Sequence, residues 1–158
     1  MPRPNHPLEL LAPAKNADFG IEAVKHGADA VYIGGPAFGA RYGAGNSVAD
    51  IERLSAFAHR YHAKVFVALN TILHDAELED ARRLAWQIYE SGADALIIQD
   101  MGLLEMDLPP IQLHASTQTD NRNSAKVRFL EDAGFSQVVL ARELSLNEII
   151  NISSQATV

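Results

Sequence analysis

The stretch HGADAVYIGG at residues 26–35 returns in altered form as SGADALIIQD at residues 91–100. In both places a helix-like pattern precedes Gly-Ala-Asp-Ala and a β-rich run follows it. Gly27 and Gly92 suit the left-handed position just past a helix C-terminus, where other side chains meet a steric penalty. Asp29 and Asp94 then fall in the turn. The runs AVYIGG and ALIIQD are continuously apolar rather than alternating, which is how a strand buried on both faces of a parallel sheet reads. A third copy, DAGFSQVVLAR at 132–142, stops its helix at Gly134, and HRYHAKVFVALN at 59–70 is a fourth without glycine.

The repeat is therefore a joint between helix and strand, and the chain alternates the two. Strands are predicted near 8–12, 30–34, 64–70, 95–99, 111–116 and 137–141. Helices are predicted near 17–26, 48–61, 76–90, 122–133 and 146–155, with a short helical piece near 101–107. Ser47 with Asp50 and Ser145 with Glu148 have capping-box spacing. Asp75 precedes an acidic first turn containing Glu77, and Glu79 and Arg83 stand four apart. Ile51, Leu54, Ala58 and Tyr61 form one apolar stripe, and Leu78, Ala81, Ala85 and Ile88 another. Pro109 and Pro110 break the chain before strand five.

Two α/β arrangements fit such a series, a doubly wound sheet and a (β/α) barrel of the TIM type. No G-x-G-x-x-G loop follows strand one in LELLAPAKNADFG, which weakens a dinucleotide-binding sheet. The barrel is the better reading, and about six βα units make it an incomplete one. The expectation is thus a single unit over 1–158, the N-terminal portion of a barrel domain whose remainder is absent. An open parallel sheet leaves unpaired backbone at its edges, so self-association of the fragment through those edges is expected.

Composition narrows the function. The 158 residues are 47% hydrophobic and 21% charged, with a net charge of −7. That charge argues against a non-specific grip on nucleic acid by this segment. The chain contains no cysteine, so it supplies no disulfide, thiolate ligand or thiol nucleophile. The opening MPRPNHPLELL lacks a signal-peptide core and no later run is long enough to span a bilayer, so a cytoplasmic protein without membrane contact is expected.

In α/β folds the site forms at the C-terminal ends of the strands. Polar residues gather there: Arg41 in the glycine-rich loop after strand two, Asn70 after strand three, Gln99 and Asp100 after strand four. His114, Ser116 and Gln118 lie along and beyond strand five, and Arg142 and Glu143 follow strand six. These nine are the candidate substrate- or cosubstrate-binding residues; no catalytic residue is assigned. Each also has a structural reading. Asn70 and Asp100 can cap the turns that follow them, His114 can be a satisfied core histidine, and Arg142 and Glu143 can pair with each other. Ser116 lacks the G-x-S-x-G elbow of a serine nucleophile. His59 and His62 share a helix face that reads as solvent-exposed, His26 and His74 stand alone, and no metal site is expected.

The motifs LELLAPA, GADAVYIGG, FGAR, LNTILHDAEL, GADALIIQDMGLL, LHASTQTDNRN and VVLARELSLNEI, in that order from Leu8 to Ile152, resemble the N-terminal part of peptidase family U-32, the collagenase-like proteases. The wording GGPAFGAR and LNTILHDAELE is most similar to the branch that hydroxylates a cytidine in large-subunit ribosomal RNA. A sister branch hydroxylates a wobble uridine in transfer RNA. The resemblance implies a TIM-like barrel, RNA as partner of the full-length protein, and prephenate as cosubstrate. A dicarboxylate would suit Arg41 and Arg142, each a two-pronged donor. It also implies an iron–sulfur cluster held by cysteines that follow the ARELSL segment in family members. This chain ends at Val158 without them, so no cofactor is expected within it. The leading expectation is the N-terminal barrel fragment of an enzyme forming 5-hydroxycytidine in ribosomal RNA. The alternatives are a collagenase-like peptidase, a hydrolase by its family label, and a truncated fragment without activity of its own. No Ser-His-Asp arrangement or H-E-x-x-H motif supports the peptidase from these residues.

Overall fold

The computed structural model describes residues 8–39 and 45–158. Its strands are β1 (Leu11–Ala14), β2 (Ala30–Gly34), β3 (Lys64–Leu69), β4 (Ala95–Ile98), β5 (Gln112–Ala115) and β6 (Gln137–Val138). The helices are α1 (Ala17–Lys25), α2 (Val48–His59), α3 (Asp75–Glu90), α4 (Ser124–Asp132) and α5 (Leu146–Ser153). Short 3-10 turns, Met101–Glu105 and Thr117–Thr119, follow β4 and β5.

The four helix-to-strand joints share one geometry. Gly27, Gly92 and Gly134 take φ of +96°, +85° and +100°, and His62 takes +59° at the same place in the joint that lacks glycine. The next residue in each case closes a Schellman bond back into its helix: Ala28 N–H to Ala23 O, Ala63 to Ala58, Ala93 to Ile88 and Phe135 to Leu130. Those four residues are all buried. The residue after that starts the ladder by donating to the preceding strand: Asp29 to Leu10 O, Lys64 to Asp29 O, Asp94 to Val65 O and Ser136 to Leu113 O.

The repeated aspartate adds a second bond to the same partner. Asp29 Oδ2 accepts the Leu10 N–H at 2.8 Å, and Asp94 Oδ2 accepts the Val65 N–H at 2.7 Å. The carboxylate thereby stands in for the carbonyl that the incoming strand cannot yet offer, and a backbone donor at the sheet rim is satisfied.

Among the described residues all pairings are parallel and the strand order is β1-β2-β3-β4-β5-β6. That order has no reversal and so no topological switch point, which rules out the doubly wound arrangement. The helices also cover a single face. Val31, Ile33, Val65, Val67, Leu69, Leu96 and Ile98 pack with Val24, Ile51, Leu54, Ala85, Ile88 and Leu130 in one core. The opposite face carries a separate small cluster of Ala30, Phe66, Ala95 and Ile97, flanked by Tyr32 and Ala68. An α/β half-barrel results, helices outside and a second strand face lining the concave side.

Several boundaries differ from expectation. The first strand runs over 11–14 rather than 8–12, because Leu10 is already committed to the Asp29 turn and pairing with β2 begins at Leu11. Pro13 is tolerated there because β1 has β2 on one flank only. The sixth strand keeps two of the five expected residues. Ala141 N–H turns away to Asn121 O at 3.1 Å, which ends the ladder early. The fourth helix begins at Ser124, since Asn123 Oδ1 caps the Lys126 N–H at 2.9 Å. Both capping boxes form, at Ser47–Asp50 and Ser145–Glu148. Glu79 does not pair with Arg83; it binds Arg82, and Arg83 binds Asp80.

The joints yield a paired stability prediction. A Cβ on Gly27 meets nothing within 4 Å, so Gly27→Ala tests backbone strain alone and should lose about 1 kcal/mol. His62→Gly should shift stability the other way, by up to about 1 kcal/mol. Urea melts of the two variants check both signs.

Candidate functional site at the C-terminal rim

Side chains alternate between the two faces of a strand, so Phe66, Ala68 and Asn70 share the concave side of β3. The register places Ala68, Ile97 and His114 side by side across β3, β4 and β5. One residue past the paired ends Leu69, Ile98 and Ala115 come Asn70, Gln99 and Ser116, which form the polar rim above that layer. Asn70 Nδ2 donates to Ser116 Oγ at 3.3 Å across the intervening strand. Ser116 Oγ also accepts the Gln118 N–H at 3.1 Å, and Gln99 Nε2 reaches Gln118 O at 3.3 Å. Asn70, Gln99, Ser116 and Gln118 are thus brought together by the fold.

Asp100 has a structural task. Its Oδ2 accepts the Leu73 N–H and its Oδ1 the Gly102 N–H, each at 2.8 Å. It ties the loop after β3 to the 3-10 turn after β4. Leu73 and Met101, from the two loops it joins, pack against the outer core, so the rim here is held by packing as well as by these hydrogen bonds. A cavity of about 290 Å³ opens beside it, bounded in part by Gln99, Asp100 and Gln118.

His114 lies one layer deeper. It is 2% exposed, with its ring edge-on to Phe66 at 4.6 Å between centroids. Burial, reinforced by the nearby Lys64 ammonium, pushes its pKa down to about 4. The imidazole is therefore neutral at pH 7. Lys64 itself pairs with Glu9 at 3.2 Å.

Arg142 and Glu143 are exposed in the turn beyond β6, and they form no ion pair with each other. The Glu143 charge instead acts on Arg122, which is bound to Asp120. Arg41 lies outside the described residues.

Two residues that the sequence did not single out hold the rim in shape. Asn121 is fully buried, and its Nδ2 donates to Ser116 O and to Val139 O, both at 2.9 Å, while its Oδ1 accepts from Thr119 Oγ1 at 2.7 Å. It bridges the ends of β5 and β6. Asn46 does the same between β1 and β2, with Nδ2 donating to Lys15 O at 3.2 Å and Gly34 O at 3.1 Å. A buried amide suits this place because it offers donors to two carbonyls that have left their ladders. Spacing alone gives no sign of it, since an asparagine in a loop reads equally as a turn residue or a cap.

The model of peptidase family U32 matches residues 15–158. The "23S rRNA 5-hydroxycytidine C2501 synthase" of Escherichia coli is 61% identical over 156 residues, covering 98% of this chain and 24% of that protein. The "tRNA hydroxylation protein P" of Escherichia coli is 37% identical over 153 residues, covering 93% of this chain and 33% of that protein. The chain therefore spans about a quarter to a third of the length of these curated relatives. A solved U32 peptidase superposes with a TM-score of 0.77 at 12% identity, covering all of this chain and 69% of the other. A phosphonopyruvate hydrolase superposes at 0.62 and 15% identity, covering 93% and 69%, and shares the fold alone.

Two measurements test the site's construction. His114 is neutral when folded and takes up a proton more readily when unfolded. The unfolded chain then binds more protons between pH 4 and 6.5, so stability falls as pH drops through that window. The loss between pH 7 and pH 5 should be about 2 kcal/mol and should shrink in His114→Phe, as read by urea melts at those two pH values. Asn121→Ala should cost about 2 kcal/mol at neutral pH in the same assay, because the buried Ser116 carbonyl and the half-buried Val139 carbonyl each lose a donor. The family model spans the rim and nearly all of the half-barrel beneath it, and the chain belongs to peptidase family U32.

Proposed function

We propose that this chain is the N-terminal part of the barrel of an RNA-modifying enzyme that forms 5-hydroxycytidine in large-subunit ribosomal RNA. The observation that carries the reading is the 61% identity to the ribosomal RNA synthase over 98% of the chain, against 37% for the transfer RNA hydroxylation protein of the same organism. The rim chemistry is compatible with it. Gln99, Gln118 and Asn70 offer amide donors and acceptors suited to the edges of a nucleobase, and the neutral His114 beneath them adds no charge of its own.

A dicarboxylate cosubstrate of the prephenate type would engage Arg142, which is exposed and makes no ion pair with a described residue. The iron–sulfur cluster implied by the family does not fit these residues. The chain has no cysteine, and no group of three or more His, Asp or Glu among the described residues could hold a metal ion. In this reading the cluster, and a share of the RNA contact, reside in residues that accompany this segment in its relatives. Strands added at β1 and β6, from such residues or from a second copy of the chain, would satisfy the sheet edges. No described helix is long and apolar enough to cross a membrane, in keeping with a cytoplasmic setting.

The peptidase reading gains nothing from the geometry. Ser116 Oγ accepts from Asn70 and from the Gln118 backbone, and no described histidine hydrogen-bonds it.

The deciding experiment is mass spectrometry of nucleosides from ribosomal and transfer RNA of a strain lacking the gene. 5-Hydroxycytidine should vanish from the large-subunit RNA and return with the longest form of the protein. Unchanged 5-hydroxycytidine sinks the reading, and loss of 5-hydroxyuridine from transfer RNA in its place moves the protein to the sister branch.

A further inference from the structure

The cavity of about 290 Å³ at the rim is offset from the concave face toward α4. Its walls and floor differ in kind. Ile72 and Phe129 stand at its mouth, 74% and 58% exposed, with Met101 behind them. Gln99 and Gln118 form the polar side, and Lys126 reaches in from the first turn of α4. Exposed aromatic and aliphatic groups beside amides and a single cation suit one ligand class well, a nucleotide held by stacking with its phosphate near the ammonium.

Electrostatics favour the anion end of such a ligand. The first turns of α1, α2, α3 and α5 each carry an acid, whereas that of α4 carries none and holds Lys126, which makes no ion pair with a described residue. The helix dipole and Lys126 thus add rather than cancel. Asp100 borders the cavity, but both its oxygens already accept backbone N–H groups, so its charge is turned toward the loops. The position matters too. Asn70 and Ser116 mark the concave rim and do not line this cavity, so its occupant sits beside that part of the rim rather than on it.

We propose that this cavity seats a nucleotide of the RNA strand flanking the one that reacts, its base against Phe129 and its phosphate at Lys126. The proposal rests on the RNA-modifying reading and names the contact by which this acidic segment holds its strand. With a net charge of −7, stacking must supply most of the grip and counterion release little.

The test uses the longest form of the protein and a fluorescein-labelled single-stranded oligocytidylate, read by anisotropy across a salt series. Phe129→Ala should weaken binding about tenfold or more, and Phe129→Trp should restore it. Lys126→Ala should weaken binding several-fold and lower the salt slope by about one phosphate. Phe129 is exposed, so folding of these variants is checked simply by thermal melts. Wild-type affinity in both Phe129→Ala and Lys126→Ala, or no affinity of the wild-type protein for the oligonucleotide, overturns the proposal. Nucleoside analysis of the same strains separates the two claims. Normal 5-hydroxycytidine with unaltered binding in the variants removes the flanking contact and leaves the hydroxylase reading standing. Binding that depends on Phe129 in a protein whose deletion spares 5-hydroxycytidine does the reverse.

Discussion

The half-barrel depends on a reciprocal pair of hydrogen bonds at the sheet's lower rim. At residue 29 the aspartate N–H goes to Leu10 O while its carboxylate takes the Leu10 N–H, and residue 94 repeats this with Val65. A one-residue slip at either joint would break both bonds and turn every side chain of the next strand to the wrong face. The Schellman closure just before fixes where the helix ends, and the buried Ala28 or Ala93 anchors the turn to the core. Register, helix end and core contact are thereby decided within four residues; Ser136 and Lys64 keep only the donating half, giving their N–H groups to Leu113 O and Asp29 O.

What could be read in advance follows from which interactions are local. The left-handed glycines, the two capping boxes and the apolar strand runs depend on neighbours in sequence, and each was found where expected. The barrel could be preferred over a doubly wound sheet but was decided by strand order, which is a long-range fact. Boundaries shifted where a distant partner intervened. Asp29 claimed Leu10 and delayed β1, and Asn121 claimed Ala141 and cut β6 short. The rim residues were nameable because polar groups at the ends of apolar runs stand out. Their division of labour was not, since nothing local distinguishes Asp100, which ties two loops, from Gln99, which borders the cavity and reaches the Gln118 carbonyl. Asn46 and Asn121 escaped notice for the same reason, as each acts on carbonyls from a different strand.

The two faces of the sheet divide structure from recognition. The helix-covered face is apolar from α1 to α4 and supplies the main core. The concave face carries only the small apolar cluster around Phe66 and Ile97, and it becomes polar at the rim where Asn70, Gln99 and Ser116 emerge. Buried amides brace that rim at both ends of the sheet, between β1 and β2 and between β5 and β6. Side chains facing a ligand are thus free of the task of holding the strands together, which lets the rim vary its chemistry while the scaffold stays fixed.

The strand order carries a consequence for how the molecule is made. Each strand pairs with the one synthesised just before it, across a single helix or turn, and no pairing skips a unit. Closing such short loops one at a time loses little chain entropy at each step. The growing sheet can therefore template every new strand as it emerges from the ribosome, with the glycine–aspartate joint setting its register on arrival. The leading edge of the sheet during synthesis is always the newest strand, so each of β2 to β5 is unpaired on that side only until its successor arrives.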